Sequence, residues 1–448
     1  MESKLIVNNF GPIKHVDLDL RNVNVFIGEQ ATGKSALAKI YTIFKAPRKF
    51  FYKNDSDKLD NYKASKDFGD IFEDYNIKAF LKPNTEIRFE SALHEFAYKN
   101  GRVQYEPKLK ITISKIEKLI ESFSINEGEI ATELLKLASN FILFSIRASL
   151  VLENEEHRSK GLFSLTHTIG NLNQDNCVQV IQLIKDIEED LSTNTALYIP
   201  AERNFSSIIK KSVANLILNK VPIPKHILTF VAELEKIDTK EISLNFIQKD
   251  LIYKNVNGED RIFTDIDHNI SLSEAASGIQ SVIPILLPIL SKKDVNHRSF
   301  VIEEPELNLF PRAQYDLIQH LESNRREGLW PHWEDFGTIH TYTTHSPYIL
   351  SALNNLLYAF KVKEELNKRI PESIKEEERN ELCEANDRKI KHIVEAYINP
   401  KSFSAYQICG GEAKSIFNEN SGLIEDNYID ESSDEINDDF EELMELIQ

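Results

Sequence analysis

The chain opens with short stretches in which apolar and polar positions alternate or form brief apolar runs. KLIVNNF, KHVDLDL and VNVFIG read as three strands, with Gly11-Pro12 as a turn between the first two. Lys34 to Phe44 carries helical spacing and begins directly after a glycine-bearing loop. Residues 50–70, rich in Lys, Asp and Asn, read as a surface loop. EIRFESALHEFAY and RVQYEPKLKITIS, within 85–115, alternate again and predict a hairpin or small sheet. From about 115 to 250 the period changes. LIESFSI, ATELLKLASNFILFSIRASLVL, VIQLIKDIEEDL and HILTFVAELEKI predict a helical insertion, broken near LYIPAERN at 197–204. Residues 251–270 look strand-like and 271–291 helical. HRSFVIEEPE is a short apolar strand ending in acids, and FGTIHTYTTHS is another ending in a polar turn. No internal repeat is visible.

Composition narrows the class. The chain has 448 residues, 41% hydrophobic and 28% charged, so it can bury a core, and wholesale disorder is excluded. Its net charge of −18 argues against a surface coated in nucleic acid, although a local basic groove stays compatible. The last residues from Glu425 hold eleven Asp or Glu and no Lys or Arg, which reads as a solvated acidic tail or an interaction segment. Cys177, Cys383 and Cys409 lie far apart with no CxxC pair, which predicts neither a zinc site nor a disulfide framework and points to a reduced cytoplasmic setting. The start, MESKLIVNNF, lacks the features of a signal peptide. The longest apolar run, Ile279 to Leu290, is too short to span a bilayer, so no membrane role is expected.

The segment VNVFIGEQATGKSA fills every fixed position of G-x-x-x-x-G-K-[ST] with Gly28, Gly33, Lys34 and Ser35. Each type has a reason. Glycines let backbone N–H groups turn inward as an anion nest, and the helix that follows adds partial positive charge. Glu29, Gln30, Ala31, Thr32 and Ala36 complete the loop that would wrap the phosphates. Lys34 can reach the β- and γ-phosphates, and Ser35 can ligate Mg²⁺. The strand before and the helix after agree with this reading against a chance strand–turn–helix.

The strand SFVI ends in Glu303 and Glu304. Nucleotide hydrolysis needs one carboxylate near Mg²⁺ and one that orients or deprotonates water. Glu303 suits the first role, through a bridging water, and Glu304 the second. Taken singly, the other segments are weak. A Ser-Gly pair such as Ser277-Gly278 is usually a turn, and a lone histidine such as His345 is usually structural.

In order, GEQATGKS, ASGIQS, FVIEEPELNLFP and TTHS resemble the ABC-class ATPases of the SMC, RecF and overcoming-lysogenisation-defect group. ASGIQS stands at the place of the signature motif of that class, with Ile279 in place of its second glycine. Glu303 stands in place of the usual aspartate. LYIPAERN and NENSGLIEDNYIDE are similar to the AAA-15 and AAA-21 classes found beside nucleases in antiphage systems, the Septu and PARIS ATPase subunits among them. The motifs cover roughly residues 1–45 and 270–350.

The resemblance implies an α/β fold: an ABC-type ATPase head, with a P-loop sheet plus an antiparallel β subdomain, and an α-helical insertion. The implied division is 1–115 and 251–422 for the head, 116–250 for the insertion and 423–448 for the tail. It implies ATP and Mg²⁺ as cofactors and a head-to-head dimer or higher oligomer. Residues 28–36 of one head would hold the phosphates, while Ser277, Gly278 and Gln280 of the other cap the γ-phosphate. Glu304 would position water, His345 sense the γ-phosphate, and Asn308 lie at the head–head contact. Glu202 and Arg203 are open between nucleotide, partner head and a plain carboxylate pairing, and Gln104 between γ-phosphate sensing and a solvent-facing strand position. The expected role is a nucleotide-gated switch controlling a separately encoded nuclease or toxin. A DNA-maintenance ATPase is the alternative. A transporter subunit fits poorly, because the interval from Lys34 to Ser277 is too long. A nuclease of its own fits poorly too, because no strand carrying D-x-D follows His345.

Overall fold

The computed structural model describes residues 3–45, 68–107, 195–325, 338–425 and 444, with interruptions at 92–93, 238, 240, 266–267, 292–296 and 372. Residues 116–194 of the expected 116–250 insertion, and nearly all of the acidic tail, lie outside the described residues.

Three strands, β1 (Ser3–Phe10), β2 (Ile13–Leu20) and β3 (Val23–Ile27), lead into helix α1 (Lys34–Phe44). Helix α2 (Phe68–Asp74) and strands β4 (Leu81–Glu90), β5 (His94–Lys99) and β6 (Arg102–Pro107) follow. Strand β7 (Thr195–Ile199) precedes a 3₁₀ turn (Ala201–Phe205) and helices α3 (Ser206–Leu218) and α4 (Lys225–Glu235). Strands β8 (Glu241–Ser243), β9 (Ile252–Val256), β10 (Glu259–Phe263) and β11 (Asn269–Ser271) come next, then helix α5 (Ser277–Leu290). The last third alternates: β12 (His297–Glu303), α6 (Pro311–Ser323), β13 (Ile339–Thr344), α7 (Pro347–Lys368), α8 (Glu376–Lys391), β14 (Phe403–Cys409) and β15 (Glu412–Ser415). A short hairpin of β16 (Phe417–Asn418) and β17 (Leu423–Ile424) ends the described chain.

Among the described residues, eleven strands form one mixed sheet in the order β6-β5-β4-β1-β2-β15-β14-β3-β13-β12-β7, and β11-β10-β9-β8 form a separate antiparallel sheet. The block β14-β3-β13-β12-β7 is parallel throughout. The block β6-β5-β4-β1-β2 is antiparallel. This is the expected α/β class, a parallel P-loop sheet with an antiparallel extension.

The parallel strands are buried on both faces, so they read as near-continuous apolar runs rather than alternations. Val23, Val25, Ile27, Phe300, Ile302 and Tyr342 pack into one cluster beneath α5, α6 and α7. Phe26 and Val301 pack on the other face with Leu37, Ile40, Tyr41 and Phe44 of α1. The same property hides β7. A five-residue apolar run inside a helical stretch has no period that separates strand from buried helix. Sequence reading makes LYIPAERN a break in the insertion, whereas Ala196–Ile199 pair with Ser299–Ile302 as the edge of the parallel block.

Because these strands are parallel, their carboxyl ends lie together, and ligands of open α/β sheets bind outside such ends. Ile27 leads into the phosphate loop, Glu303 ends β12, Thr344 ends β13, and Ile199 ends β7.

Candidate nucleotide site

The loop between β3 and α1 has the backbone of an anion nest. Gly28 has φ 150°, Ala31 φ 63° and Gly33 φ 111°. A Cβ at Gly28 would lie 2.3 Å from the Ile408 carbonyl oxygen on neighbouring β14, so only glycine fits there. Gly33 caps α1 without a side-chain hydrogen bond, and the first turn holds no acid. The N–H groups of that turn therefore have no side-chain acceptor of their own. Thr32 closes the loop by donating to the Glu29 carbonyl at 2.9 Å.

Lys34 is buried and lies back over this loop. Its Nζ donates to the carbonyl oxygens of Gly28 and Glu29, both at 2.6 Å. Burial lowers its pKa to about 8, against the opposing pull of Glu304, Glu306, Glu303 and Glu29. The ammonium is thus partly withdrawn from water, with two loop carbonyls as its hydrogen-bond acceptors.

Three glutamates face it from the β12 end. Glu303 is buried and its carboxyl is pushed up by loss of solvent, with Tyr198, Lys39 and Ser35 opposing that shift. Its buried Oε1 has no hydrogen-bond partner among the described residues. Glu304 adopts φ 42°, a left-handed conformation rare for a side chain of its size, and its N–H donates to Thr343 O at 2.9 Å. Glu306 accepts from Thr344 Oγ1 and from the His345 N–H, both at 2.8 Å. His345 Nε2 thereby stands 3.8 Å from Glu304 Oε1. Burial and the Lys34 charge lower the His345 pKa, which favours the neutral imidazole.

Ser277 and Gly278 open α5 and are held against the turn after the acids. A Cβ at Gly278 would lie 2.7 Å from Asn308 O, and Asn308 Nδ2 donates to Ser281 Oγ at 3.1 Å. Within its own chain, then, Asn308 braces the signature helix. The Gln280 amide donates to Ala275 O at 2.7 Å and Ser273 O at 3.3 Å, closing the turn that precedes the helix. Arg203 makes no hydrogen bond to a carboxylate oxygen among the described residues. Its donors go to four backbone carbonyls, those of Ser281, Pro200, Glu303 and Glu304. Glu202 beside it is exposed.

The structure therefore brings residues 28–36, Glu303, Glu304 and His345 to one end of the sheet. Ser277, Gly278 and Gln280 stand on the far side of the acid turn. Gln104 belongs elsewhere: it is exposed on β6, the edge strand most distant from β7. Two contributors escaped sequence reading. Glu306 orients His345, and its only signal was a third acid in EEPE. Tyr198 faces Glu303, and its signal was a hydroxyl-bearing residue inside an apolar strand.

The site fits a Mg²⁺-bound nucleotide on this chain's own atoms. The evidence is a glycine cradle that a Cβ would fill, an uncapped helix start, and a buried carboxylate oxygen that lacks a partner. An orphaned buried acceptor is costly unless a cation or donor meets it.

No curated protein matches the chain. Among solved structures it is similar to the Smc head domain of Pyrococcus furiosus, with an extended coiled coil and bound to the C-terminal domain of ScpA (8% identity, 93% of this chain and 95% of that one, TM-score 0.34). It is also similar to the SMC head domain of Thermotoga maritima (10% identity, 78% and 91%, TM-score 0.32). A third is an SmcHead bound to the C-winged helix domain of ScpA (8% identity, 93% and 97%, TM-score 0.36). Among the described residues, no helix is long and apolar enough to cross a membrane. The AAA ATPase domain family matches residues 1–350, most of the length, and the chain belongs to that family.

Proposed function

We propose that the chain binds ATP with Mg²⁺ and hydrolyses it between two head domains. The observation that carries this reading is the convergence of the glycine nest, Lys34 and the orphaned Glu303 oxygen at one sheet end. Ser35 and Glu303 would hold the cation, Glu303 through a bridging water, and a divalent ion held there would supply charge neutralisation for the phosphates. The loop amides and Lys34 bind and orient the phosphates. Glu304, turned outward by its left-handed backbone, takes a proton from the attacking water. Neutral His345 accepts or donates a hydrogen bond beside it, and Glu306 fixes where that ring stands. Ser277 and Gly278 present the start of α5 to the nucleotide of a second copy.

Closing two heads on ATP and opening them after hydrolysis makes a two-state switch. We read that switch as one that senses a trigger and controls a separately encoded nuclease or toxin in bacterial antiphage defence, the role implied by the resemblance of LYIPAERN and the C-terminal segment. A RecF- or SMC-like role in DNA maintenance is equally compatible with the family. The test is ATP hydrolysis by the full chain, with and without duplex DNA, using Glu304→Gln as control. A rate that is lost in the control and indifferent to DNA supports the effector switch. A rate raised several-fold by DNA and weakened by salt supports DNA maintenance. A rate unchanged in the control refutes the assignment of Glu304.

A further inference from the structure

Arg203 is among the largest side chains that are fully buried, and no role in binding or chemistry has been assigned to it so far. A buried guanidinium is expensive unless its donors and charge are met. Here its donors are met by backbone, not by carboxylates. Nη1 donates to Glu303 O at 2.6 Å and Pro200 O at 3.1 Å, Nη2 to Glu304 O at 2.7 Å, and Nε to Ser281 O at 2.9 Å. Glu306, Glu303 and Glu304 supply the opposing charge around it, while burial lowers its pKa to about 10, still cationic.

Two of these acceptors are consecutive carbonyls of the acid turn. The left-handed φ of Glu304 aims its carbonyl inward, where Arg203 Nη2 and the Leu307 N–H both donate to it. A non-glycine residue held there carries backbone strain that its surroundings must sustain. The third acceptor lies on α5, four residues after Ser277. Pro284 lies within that helix and cannot donate to Gln280 O, so the opening turn of α5 is less tied to the rest of the helix. What holds that turn instead is Arg203 on one side and Asn308 on the other.

We propose that Arg203 is a positioning residue that couples two nucleotide sites. It fixes the Glu304 backbone of its own head and, through Ser281 O, the signature helix that caps the nucleotide of the partner copy. Movement of that helix when the partner's nucleotide is seated re-aims the Glu304 carboxylate. The inference rests on the two-head reading above.

The experiment uses the full chain and Arg203→Lys, which keeps the charge but cannot span the acid turn and α5 together. Binding of a fluorescent ATP analogue, the steady-state rate and its dependence on ATP are measured side by side. The expected result is unchanged ATP affinity, a kcat lower by about a hundredfold, as a misplacement of about 1 Å produces, and a Hill coefficient reduced to unity. Wild-type kcat and cooperativity in the variant overturn the proposal, and so does an equal loss of affinity and rate. Should the variant not fold, hydrogen exchange on Glu304→Gln decides. Amides of 303–307 and 278–283 should gain protection together when ATP is added, and independent changes overturn the coupling. Failure of the wild-type chain to bind ATP would instead refute the nucleotide reading itself.

Discussion

Two buried glutamates sit near opposite ends of the central strands, and their surroundings could hardly differ more. Glu322, on α6, has both oxygens filled. Tyr342 Oη donates to Oε1 at 2.7 Å, His340 Nδ1 lies 2.9 Å from the same oxygen, and Arg325 Nε donates to Oε2 at 2.9 Å. Burial alone would raise its pKa, but His340, Arg325 and Tyr342 outweigh burial and hold it at about 2. Glu303, equally buried, has an oxygen with no partner, and burial prevails so that its carboxyl is raised. A closed carboxylate is part of the scaffold. An open one, at the carboxyl ends of parallel strands and beside a glycine-rich loop, marks a candidate binding site. Burial is common to both, and the accounting of partners separates them.

Substituting each glutamate tests that separation. Glu303→Gln should abolish Mg²⁺-dependent hydrolysis while leaving the melting temperature unchanged or higher, because an uncompensated buried acid is removed. Glu322→Gln should do the reverse. Removing the carboxylate charge that His340, Tyr342 and Arg325 meet breaks a buried ion pair, which costs about 3–5 kcal/mol, read as a lower midpoint in urea, with ATP binding intact where the protein is folded. If both variants lose stability equally, the comparison fails.

The pH dependence sharpens the same point. The folded pKa of Glu322 lies below its ordinary 4.5, at about 2. Its contribution is therefore fully present above pH 4.5 and is lost as pH falls through 2. Acid titration of wild type and Glu322→Gln should converge across that window, and parallel curves would contradict the assignment.

Smaller effects lie where the signature helix meets the acid turn. Gly278→Ala places a Cβ 2.7 Å from Asn308 O, a backbone atom that cannot swing aside. Overpacking of this kind costs about 1–3 kcal/mol, and hydrolysis should fall further than stability. Ser281→Ala removes one acceptor from Asn308 and should cost about 1 kcal/mol, seen as a modest shift in melting temperature.

Much of this site was legible in the sequence because its chemistry is local. The loop 28–36 needs consecutive residues of fixed type, and acids at the end of an apolar strand announce themselves. The order of motifs singled out Ser277, Gly278 and His345; within one chain the structure brings His345 to the acids and holds Ser277 and Gly278 on the far side of the acid turn. What was illegible depends on tertiary partners. β7 is buried on both faces and so has no periodicity of its own. Arg203 was open between phosphate and carboxylate because its four carbonyl acceptors are distant in sequence or lie in a turn whose shape only the fold defines. Gln104 looked eligible because a glutamine carries no mark of which sheet edge it occupies. Of the helical insertion expected over 116–250, the part from 116 to 194 lies outside the described residues, as does nearly all of the acidic tail.

The central claim is that Glu303 is left open for a cation that arrives with nucleotide. Calorimetric titration of ATP into the full-length chain, with and without Mg²⁺, in wild type and Glu303→Gln, tests it most directly. The account predicts that Mg²⁺ strengthens ATP binding to wild type and that this gain disappears in Glu303→Gln. Equal gains in both proteins, or no ATP binding by wild type under either condition, would contradict it.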